Sequence, residues 1–364
     1  MSEKLLSGTS PSFFLGANTP KGFYSLFSEL YSPEDGWVLY IIKGGPGTGK
    51  SSFMKKVAAA AEKKGLYCER IYCSSDPDSL DAVIIPSLKV SIADGTAPHV
   101  IEPKYPGVSE VIIDLGQYRN DALLRERRSE IISKTKETSA EHKKCVDFLE
   151  AARGVDNDIR KIAISAVNTH KTERFLRQLE SKEIPVSSEK DGRMQKRFLS
   201  ALTPKGLTLF YDTVCTLCEN IWVLEDDFSA VSSLLLKYLT ATALNNGHDC
   251  IVCPCVMRPD TKIEHLLIPS LGTAFFTANR FHPWENDKCR TVNCRRFYSE
   301  ETLKAHRARL LFDKKAKDEL LTEAVSHLEK AKSIHDELEK YYIEAMNFEK
   351  MNKDADVLIN KIIG

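Results

Sequence analysis

A glycine-rich segment, residues 43–52 (Lys-Gly-Gly-Pro-Gly-Thr-Gly-Lys-Ser-Ser), contains the residue types that bind phosphate. Glycines allow backbone amides to turn toward an anion, while Lys50 and Ser51 supply an ammonium and a hydroxyl. The spacing Gly-x-x-x-x-Gly-Lys-Ser is that of the Walker A motif, whose lysine contacts the β- and γ-phosphates and whose hydroxyl ligates Mg²⁺. The spacing therefore predicts a site for ATP and Mg²⁺. The expected contact residues are Gly44, Gly45, Pro46, Gly47, Thr48, Gly49, Lys50, Ser51 and Ser52.

The elements that must position this loop are predicted on both sides of it. The apolar run 37–42 (Trp-Val-Leu-Tyr-Ile-Ile) is typical of a buried parallel strand. Residues 52–64 have a helical pattern that ends at Gly65. A strand, a loop and a helix in this order place the helix N-terminus and its positive dipole end at the phosphates.

A magnesium site also needs an acid at the end of a neighbouring strand. Asp94 and Asp114 both end apolar runs. We prefer Asp94 as the catalytic and metal-binding acid, because the polar segment 94–99 (Asp-Gly-Thr-Ala-Pro-His) is more typical of a site than of a strand exit. Asp114 remains the alternative. The absence of an Asn-Lys-x-Asp guanine-reading motif mildly favours ATP over GTP.

A second acidic segment, residues 74–81 (Ser-Ser-Asp-Pro-Asp-Ser-Leu-Asp), follows the next predicted strand. Loops at the carboxyl ends of parallel strands bind ligands in α/β sheets. Asp76 and Asp78 are therefore candidate catalytic acids that orient or deprotonate an acceptor hydroxyl. The alternative is a turn in which an aspartate caps a helix.

The sequence gives less support to a functional role for the other polar side chains of the first half. His99 is either a sensor of the γ-phosphate or a buried, hydrogen-bonded histidine. Four arginines in the following segment are either lid or finger residues or solvated helix residues: Arg119, Arg125, Arg127 and Arg128.

The chain is an internal duplication. Five segments of the first half recur in the same order in the second, at offsets between 179 and 185 residues. The repeated Thr-Pro-Lys-Gly at 19–22 and 203–206, and residues 146–168 aligned without a gap on 325–347, are two of these. We therefore predict two domains, 1–185 and 186–364, connected by a linker at 184–193.

Each half has the same internal order: a mixed β/α portion, residues 11–117 and 195–298, precedes a helical portion, residues 118–182 and 299–362. We predict an α/β protein of two tandem P-loop NTPase-like domains. Each has a parallel sheet with flanking helices and then a helical hairpin, broken in the first copy at Gly154.

The second half lacks the phosphate-binding chemistry. Residues 221–233 (Ile-Trp-Val-Leu-Glu-Asp-Asp-Phe-Ser-Ala-Val-Ser-Ser) align with the glycine-rich loop but contain neither glycine nor lysine. Glu225, Asp226 and Asp227 would repel a polyphosphate. We therefore predict a degenerate domain that does not bind ATP. Lys205 persists in its Thr-Pro-Lys-Gly segment, either as part of a turn or as a finger that reaches the nucleotide of the first half.

Seven of the ten cysteines lie in the second half. Cys215, Cys218, Cys253 and Cys255 have spacings compatible with a zinc or iron–sulfur site. The alternative, which we favour, is ordinary buried thiols, because Cys255 aligns with Cys73 in the half without a cluster.

The composition of the chain excludes several classes of protein. The chain has 364 residues, is 42% hydrophobic, and carries 51 basic and 51 acidic residues. The chain carries no net positive charge that would favour binding to nucleic acid. It also contains no apolar run long enough to predict a membrane span or a signal peptide. We expect a cytoplasmic protein whose two halves pair within the chain.

The segments quoted above, taken together, resemble a family of bacterial, clostridial-type tandem P-loop ATPases. The resemblance covers essentially the whole chain. It implies an ATP-binding P-loop fold in both halves, with Lys50 and Ser51 as phosphate and magnesium residues, but no particular reaction. The two functions left open are a Mg²⁺-dependent ATPase or phosphotransferase acting on an unknown acceptor, and a nucleotide-dependent switch or scaffold that presents its hairpins to a partner.

Overall fold

Two six-stranded sheets form the centre of the computed structural model, which describes residues 10–188 and 190–364. The first half contains β1 Ser12–Phe14, β2 Gly16–Thr19, β3 Gly22–Ser25, β4 Val38–Lys43, β5 Glu69–Tyr72, β6 Leu80–Ile85, β7 Val90–Asp94 and β8 Glu110–Asp114. The second half contains β9 Met194–Lys196, β10 Ser200–Thr203, β11 Gly206–Leu209, β12 Asn220–Glu225, β13 Cys250–Cys255, β14 Arg258–Ile268, β15 Thr273–Ala278 and β16 Arg290–Asn293.

The helices also occur in matching order in the two halves, apart from one additional α-helix near the start of the second half. Those of the first half are α1 Lys50–Lys63, α2 Asp121–Glu126, α3 Arg128–Ala166 and α4 Thr169–Glu183. Those of the second half are α5 Tyr211–Leu217, α6 Ala230–Asn245, α7 Glu300–Ala305, α8 Arg307–Ala345 and α9 Phe348–Ile363. Among the residues that the structure describes, no helix is both long enough and apolar enough to cross a membrane.

The sheets have the same topology. The strand order is β1-β5-β6-β7-β4-β8 in the first and β9-β13-β14-β15-β12-β16 in the second. Each is mixed rather than parallel, because β6 and β14 run antiparallel to both neighbours. The prediction of a parallel sheet in each half was therefore wrong at these two strands. The connections on each side of β6, residues 73–79 and 86–89, are too short for the crossover of about a dozen residues that a parallel pair requires.

The two halves pair through equivalent residues. Phe14 and Phe198 exchange backbone hydrogen bonds of 2.8 and 2.9 Å, and both side chains are fully buried. Beside them the guanidinium of Arg197 donates to the buried carboxylate of Glu69 at 2.9 Å. The intramolecular pairing predicted from the duplication is therefore present in the fold.

The long helices α3 and α8, each of 39 residues, pack against one another. Gly154 does not break α3, so that prediction was wrong. No other atom lies near the position of its missing Cβ, and we infer that packing against α8 offsets its cost of about 1 kcal/mol. The hairpin turns instead at Val167, and the Asn168 side chain caps α4.

The two hairpins are exchanged between the halves. Leu176 and Leu179 of α4 belong to the same core as Leu235 of α6 in the second half. In reciprocal fashion, Met351 of α9 packs with Phe53 of α1 in the first half. Each sheet is thus covered by the last helix of the other half, and the C-terminal end of α8 lies beside the glycine-rich loop.

Candidate functional site

The glycine-rich loop connects β4, which lies between β7 and β8, to the N-terminus of α1. Two of its residues need glycine, because Gly47 has a φ of 65° and Gly49 a φ of 88°. The left-handed Gly49 immediately precedes Lys50, the first residue of α1. The predicted strand, loop and helix are therefore all present, at the carboxyl edge of the sheet.

Lys50 turns back over the loop. Its Nζ donates to the carbonyl oxygens of Gly45 at 2.7 Å and Gly44 at 3.3 Å, and lies 3.6 Å from Oδ2 of Asp94. The other oxygen of Asp94 accepts hydrogen bonds from the amide and hydroxyl of Thr96. Both charged side chains are largely buried, with 12% and 14% of their surface exposed. The structure thus brings the predicted lysine and the preferred acid together.

Two hydroxyl side chains of the loop have different environments. Ser51 Oγ accepts a hydrogen bond from the amide of Leu80 at 3.0 Å, which ties α1 to the end of the acidic segment 74–81. Thr48 is buried and donates to the carbonyl oxygen of Gly45 at 2.8 Å. Pro46 is partly exposed, and Ser52 is exposed on the first turn of α1.

The acidic segment binds lysines from the second half. Asp78 accepts a hydrogen bond from Lys205 Nζ at 2.6 Å, and this ammonium holds the pKa of the Asp78 carboxyl below its usual range. Asp76 accepts a hydrogen bond from the Ser79 hydroxyl and lies 3.7 Å from Lys332 of α8. The two carboxylates therefore form part of the interface between the halves.

Lys205 has an equivalent in the first half. Lys21, at the same place in the first Thr-Pro-Lys-Gly segment, reaches Asp260 of the second half at 2.7 Å. Asp260 aligns with Asp78, so the two contacts are reciprocal. Each Thr-Pro-Lys-Gly turn thus extends its lysine to an aspartate of the other half.

A carboxylate of the second half binds the glycine-rich loop itself. Glu339 of α8 accepts a hydrogen bond from the backbone nitrogen of Gly47 at 3.2 Å. A hydrogen bond from His335 holds the pKa of Glu339 below its usual value although burial opposes this. The ring of Tyr342 also lies close to the loop, 2.6 Å from where a Cβ of Gly45 would stand. Sequence reasoning missed Glu339, and no local pattern marks it among the many acids of α8.

Asp81 lies in β6 rather than in the acidic loop where the sequence placed it. Its carboxylate is buried and faces His99 Nε2 at 3.4 Å. Burial opposes the protonated form of His99, but Asp81 outweighs this effect and raises the pKa of the histidine. The ring of His99 also stacks on Phe27 at 4.5 Å. His99 is therefore a packed, paired histidine with electrostatic contact to Asp94.

The remaining candidates of the first half have other contacts. Asp114 accepts a hydrogen bond from the Gly116 amide and caps the turn that follows β8, with its side chain exposed. Arg119 binds Asp121, and Arg127 lies 3.5 Å from Glu130. Arg125 and Arg128 are exposed on α2 and α3.

In the second half an internal carboxylate occupies the start of the equivalent helix. Asp226 accepts hydrogen bonds from the amide of Ser232 at 2.8 Å and from the hydroxyl of Tyr298 at 2.7 Å. Ser232 aligns with Ser51, and Asp226 is 2% exposed. The N-terminus of α6 therefore already binds a carboxylate of the protein itself, that of Asp226.

The cysteines are free thiols. Burial raises the pKa of Cys218 and of Cys255 to about 12, so both are neutral at physiological pH. Across residues 10–188 and 190–364, no group of three or more His, Cys, Asp or Glu side chains is arranged to hold a metal ion.

Comparisons with protein-family models, with curated proteins and with solved structures found no match for this chain.

Proposed function

We propose that the first half binds ATP with Mg²⁺ at residues 44–52 and acts as an ATPase or phosphotransferase. The observation that carries this proposal is the convergence of Lys50 and Asp94 at the N-terminus of α1, beside a loop amide that binds a carboxylate. A carboxylate oxygen at the Gly47 nitrogen stands in for a phosphate oxygen. An amide turned outward in this way, a helix N-terminus and a lysine are the elements of a polyphosphate site.

The oxygens expected to hold Mg²⁺ fit that ion. Ser51 supplies a hydroxyl at the start of α1, and Asp94 supplies a carboxylate from the adjacent strand β7. Magnesium prefers hard oxygen ligands and usually takes one or two from the protein and the rest from phosphates and water. Bound Mg²⁺ would neutralise charge that develops on the transferred phosphoryl group.

The acceptor side favours phosphotransfer over fast hydrolysis. Gly95 follows Asp94, so no glutamate lies next to the proposed magnesium acid to activate water. Asp76 and Asp78 belong to the segment that Leu80 ties to Ser51, and they are the acids available to orient an acceptor hydroxyl. Lys205 and Lys332 would hold these acids in place from the second half.

The second half acts as a pseudo-NTPase in this proposal. Asp226 already satisfies the Ser232 amide, and a polyphosphate would have to displace this buried carboxylate and its hydrogen bond from Tyr298. The chain would therefore bind one nucleotide, in the first half.

A second function, a nucleotide-dependent switch, is favoured by Glu339 and Tyr342. Both lie on α8 of the second half and cover the glycine-rich loop, so a bound nucleotide would displace the end of that helix. Movement of α8 would change the surface of the hairpin pair that a partner contacts.

Titration with ATP and Mg²⁺ by calorimetry tests the site. Lys50→Ala should weaken binding by at least about tenfold, because it removes the ammonium that contacts the β- and γ-phosphates. Lys63→Ala removes the same charge from the exposed last turn of α1 and should leave affinity unchanged. Equal affinities of wild type and Lys50→Ala would contradict the proposal. Consumption of γ-labelled ATP with a metabolite library then separates the phosphotransferase from the switch.

A further inference from the structure

A cavity of about 400 Å³ lies at the carboxyl edge of the second sheet, between that sheet and the two long helices. Most of its wall is apolar, with Leu202, Met257, Phe281 and Leu321 among the residues that form it. Sites for small organic molecules typically measure about 300–1,000 Å³ and have mainly apolar walls with a few polar groups. The cavity therefore has the size and the lining of a small-molecule site.

The cavity is the second-half counterpart of the space between the glycine-rich loop and α8. Arg160 of α3, which lines it, precedes Glu339 by 179 residues, the offset at which the two hairpin sequences align. Asp227 to Ser229, from the segment that replaced the glycine-rich loop, form another part of the wall. The nearby amide of Ser232 is already bound to Asp226, so the space has lost its phosphate-binding amide but remains open.

Positive charge exceeds negative charge in the wall. Six lining residues are basic and four are acidic. His282, which also lines the cavity, adds no charge at neutral pH, because burial lowers its pKa to about 4.

Two features account for the excess of positive charge. Asp156 pairs with both Arg258 at 2.8 Å and Lys317 at 2.7 Å, so one carboxylate compensates two cations. Arg160 makes no ion pair with any residue in the described part of the chain. An unpaired guanidinium and a doubly shared carboxylate beside an apolar wall favour a ligand that carries negative charge.

The geometry points to a binding site for a small organic anion in this cavity. The acidic head of this anion lies against Arg160 and Lys317, and the apolar body of the anion packs between Leu202, Met257 and Leu321. This ligand differs from the nucleotide of the first half, because the cavity offers an apolar wall in place of a glycine-rich cradle. It also contacts the helix whose other end bears Glu339, 22 residues beyond Lys317 and about 33 Å along α8.

The anionic dye 1-anilinonaphthalene-8-sulfonate and its uncharged analogue N-phenyl-1-naphthylamine provide a matched pair of probes. They share the aromatic body and differ in the sulfonate. Fluorescence titration of the Lys50→Ala protein should show one saturable site per chain for the anion and affinity at least about tenfold weaker for the neutral analogue. Use of this variant separates the result from the fate of the ATP proposal. Equal affinities, or no saturable site for the anion, would overturn the inference.

Two variants locate the dye. Arg160→Gln should weaken binding of the anion by about five- to tenfold and leave the neutral analogue unaffected. Lys161→Gln removes the same charge from the next, exposed residue of α3 and should change neither affinity. Circular dichroism and the thermal midpoint of each variant check that the fold is intact. Equal effects of the two variants would show that the dye responds to general surface charge and not to the cavity.

Discussion

The carboxylate of Glu339 lies 3.2 Å from the backbone nitrogen of Gly47, although the two residues are 292 positions apart in the chain. This contact places a negative charge at an amide that we propose to bind a phosphate oxygen. Two unit charges about 4 Å apart repel each other by about 4 kcal/mol at an effective dielectric constant near 20. A nucleotide bound as we propose would therefore compete with the Glu339 carboxylate for the loop, and this competition would couple nucleotide binding to the position of α8.

Glu339→Gln should bind ATP more tightly than the wild type, by about five- to tenfold. The change removes the competing charge and keeps an oxygen of similar size at Gly47. Calorimetric titration in the presence of Mg²⁺ measures it. Glu344→Gln, an exposed position on the same helix, should bind ATP as the wild type does. Weaker binding by Glu339→Gln would show that this carboxylate assists the nucleotide or its metal.

Lys205→Ala should lower the turnover of ATP by about tenfold and leave ATP affinity nearly unchanged. The variant removes the ion pair that holds Asp78, the acid that we propose to orient the acceptor. Lys21→Ala breaks the equivalent contact with Asp260 in the second half and should affect neither quantity. Both ion pairs are exposed, so each variant should retain its stability within about 1 kcal/mol. Steady-state rates of labelled ATP consumption, compared between the two variants, measure the effect. Equal turnover in both would eliminate the role of Lys205.

Asp226→Ala should lower the free energy of unfolding by about 2–4 kcal/mol. The variant leaves the amide of Ser232 and the hydroxyl of Tyr298 without their partner in a buried position. Asp227→Ala removes a neighbouring carboxylate that is 70% exposed and should cost less than about 0.5 kcal/mol. Urea unfolding of the three proteins measures the difference. Loss of stability in Asp227→Ala alone would contradict the capping role of Asp226.

His99 and His282 occupy equivalent positions but should make stability depend on pH in opposite directions. Asp81 raises the folded-state pKa of His99, so its contribution is complete below the unfolded value of about 6.5 and is lost as the pH rises through the folded-state pKa. Burial lowers the folded-state pKa of His282 to about 4, so stability falls as the pH drops below about 6.5.

Chemical unfolding at a series of pH values separates the two histidines. His282→Gln should remove a loss of stability that we expect to be on the order of 2 kcal/mol between pH 7 and pH 5. His99→Gln should differ most from the wild type at pH 5–6 and least at alkaline pH. The same pH dependence in both variants would contradict the opposite environments of the two residues.

Local patterns predicted much of this fold. The apolar run before the glycine-rich loop, the helical pattern after it and the internal duplication all correspond to observed elements. The strand β6 was predicted but its antiparallel direction was missed, since a short apolar run has the same appearance in either direction. Its direction follows from the length of the connecting segments, which depends on exact strand ends.

The exchange of hairpins could not be predicted, because nothing in the pattern of α9 states which sheet its apolar face covers. Met351 would pack equally well in either core by hydrophobicity alone. The parts of the candidate site that depend on this exchange, Glu339 and Lys332, were therefore missed. Lys50 and Ser51 were named because they lie within one contiguous strand–loop–helix unit, and Asp94 was named because a polar segment follows the apolar run that it ends.

The number of ATP molecules bound per chain tests the central claim most directly. Equilibrium dialysis of the wild-type protein with ATP and Mg²⁺ should give one nucleotide per chain. We propose that Lys50 contacts the phosphates in the first half, whereas the Asp226 carboxylate already binds the Ser232 amide at the start of α6 in the second. The single site should disappear in Lys50→Ala within the same concentration range. Two equivalent sites, or no bound nucleotide at concentrations up to several millimolar, would contradict the account.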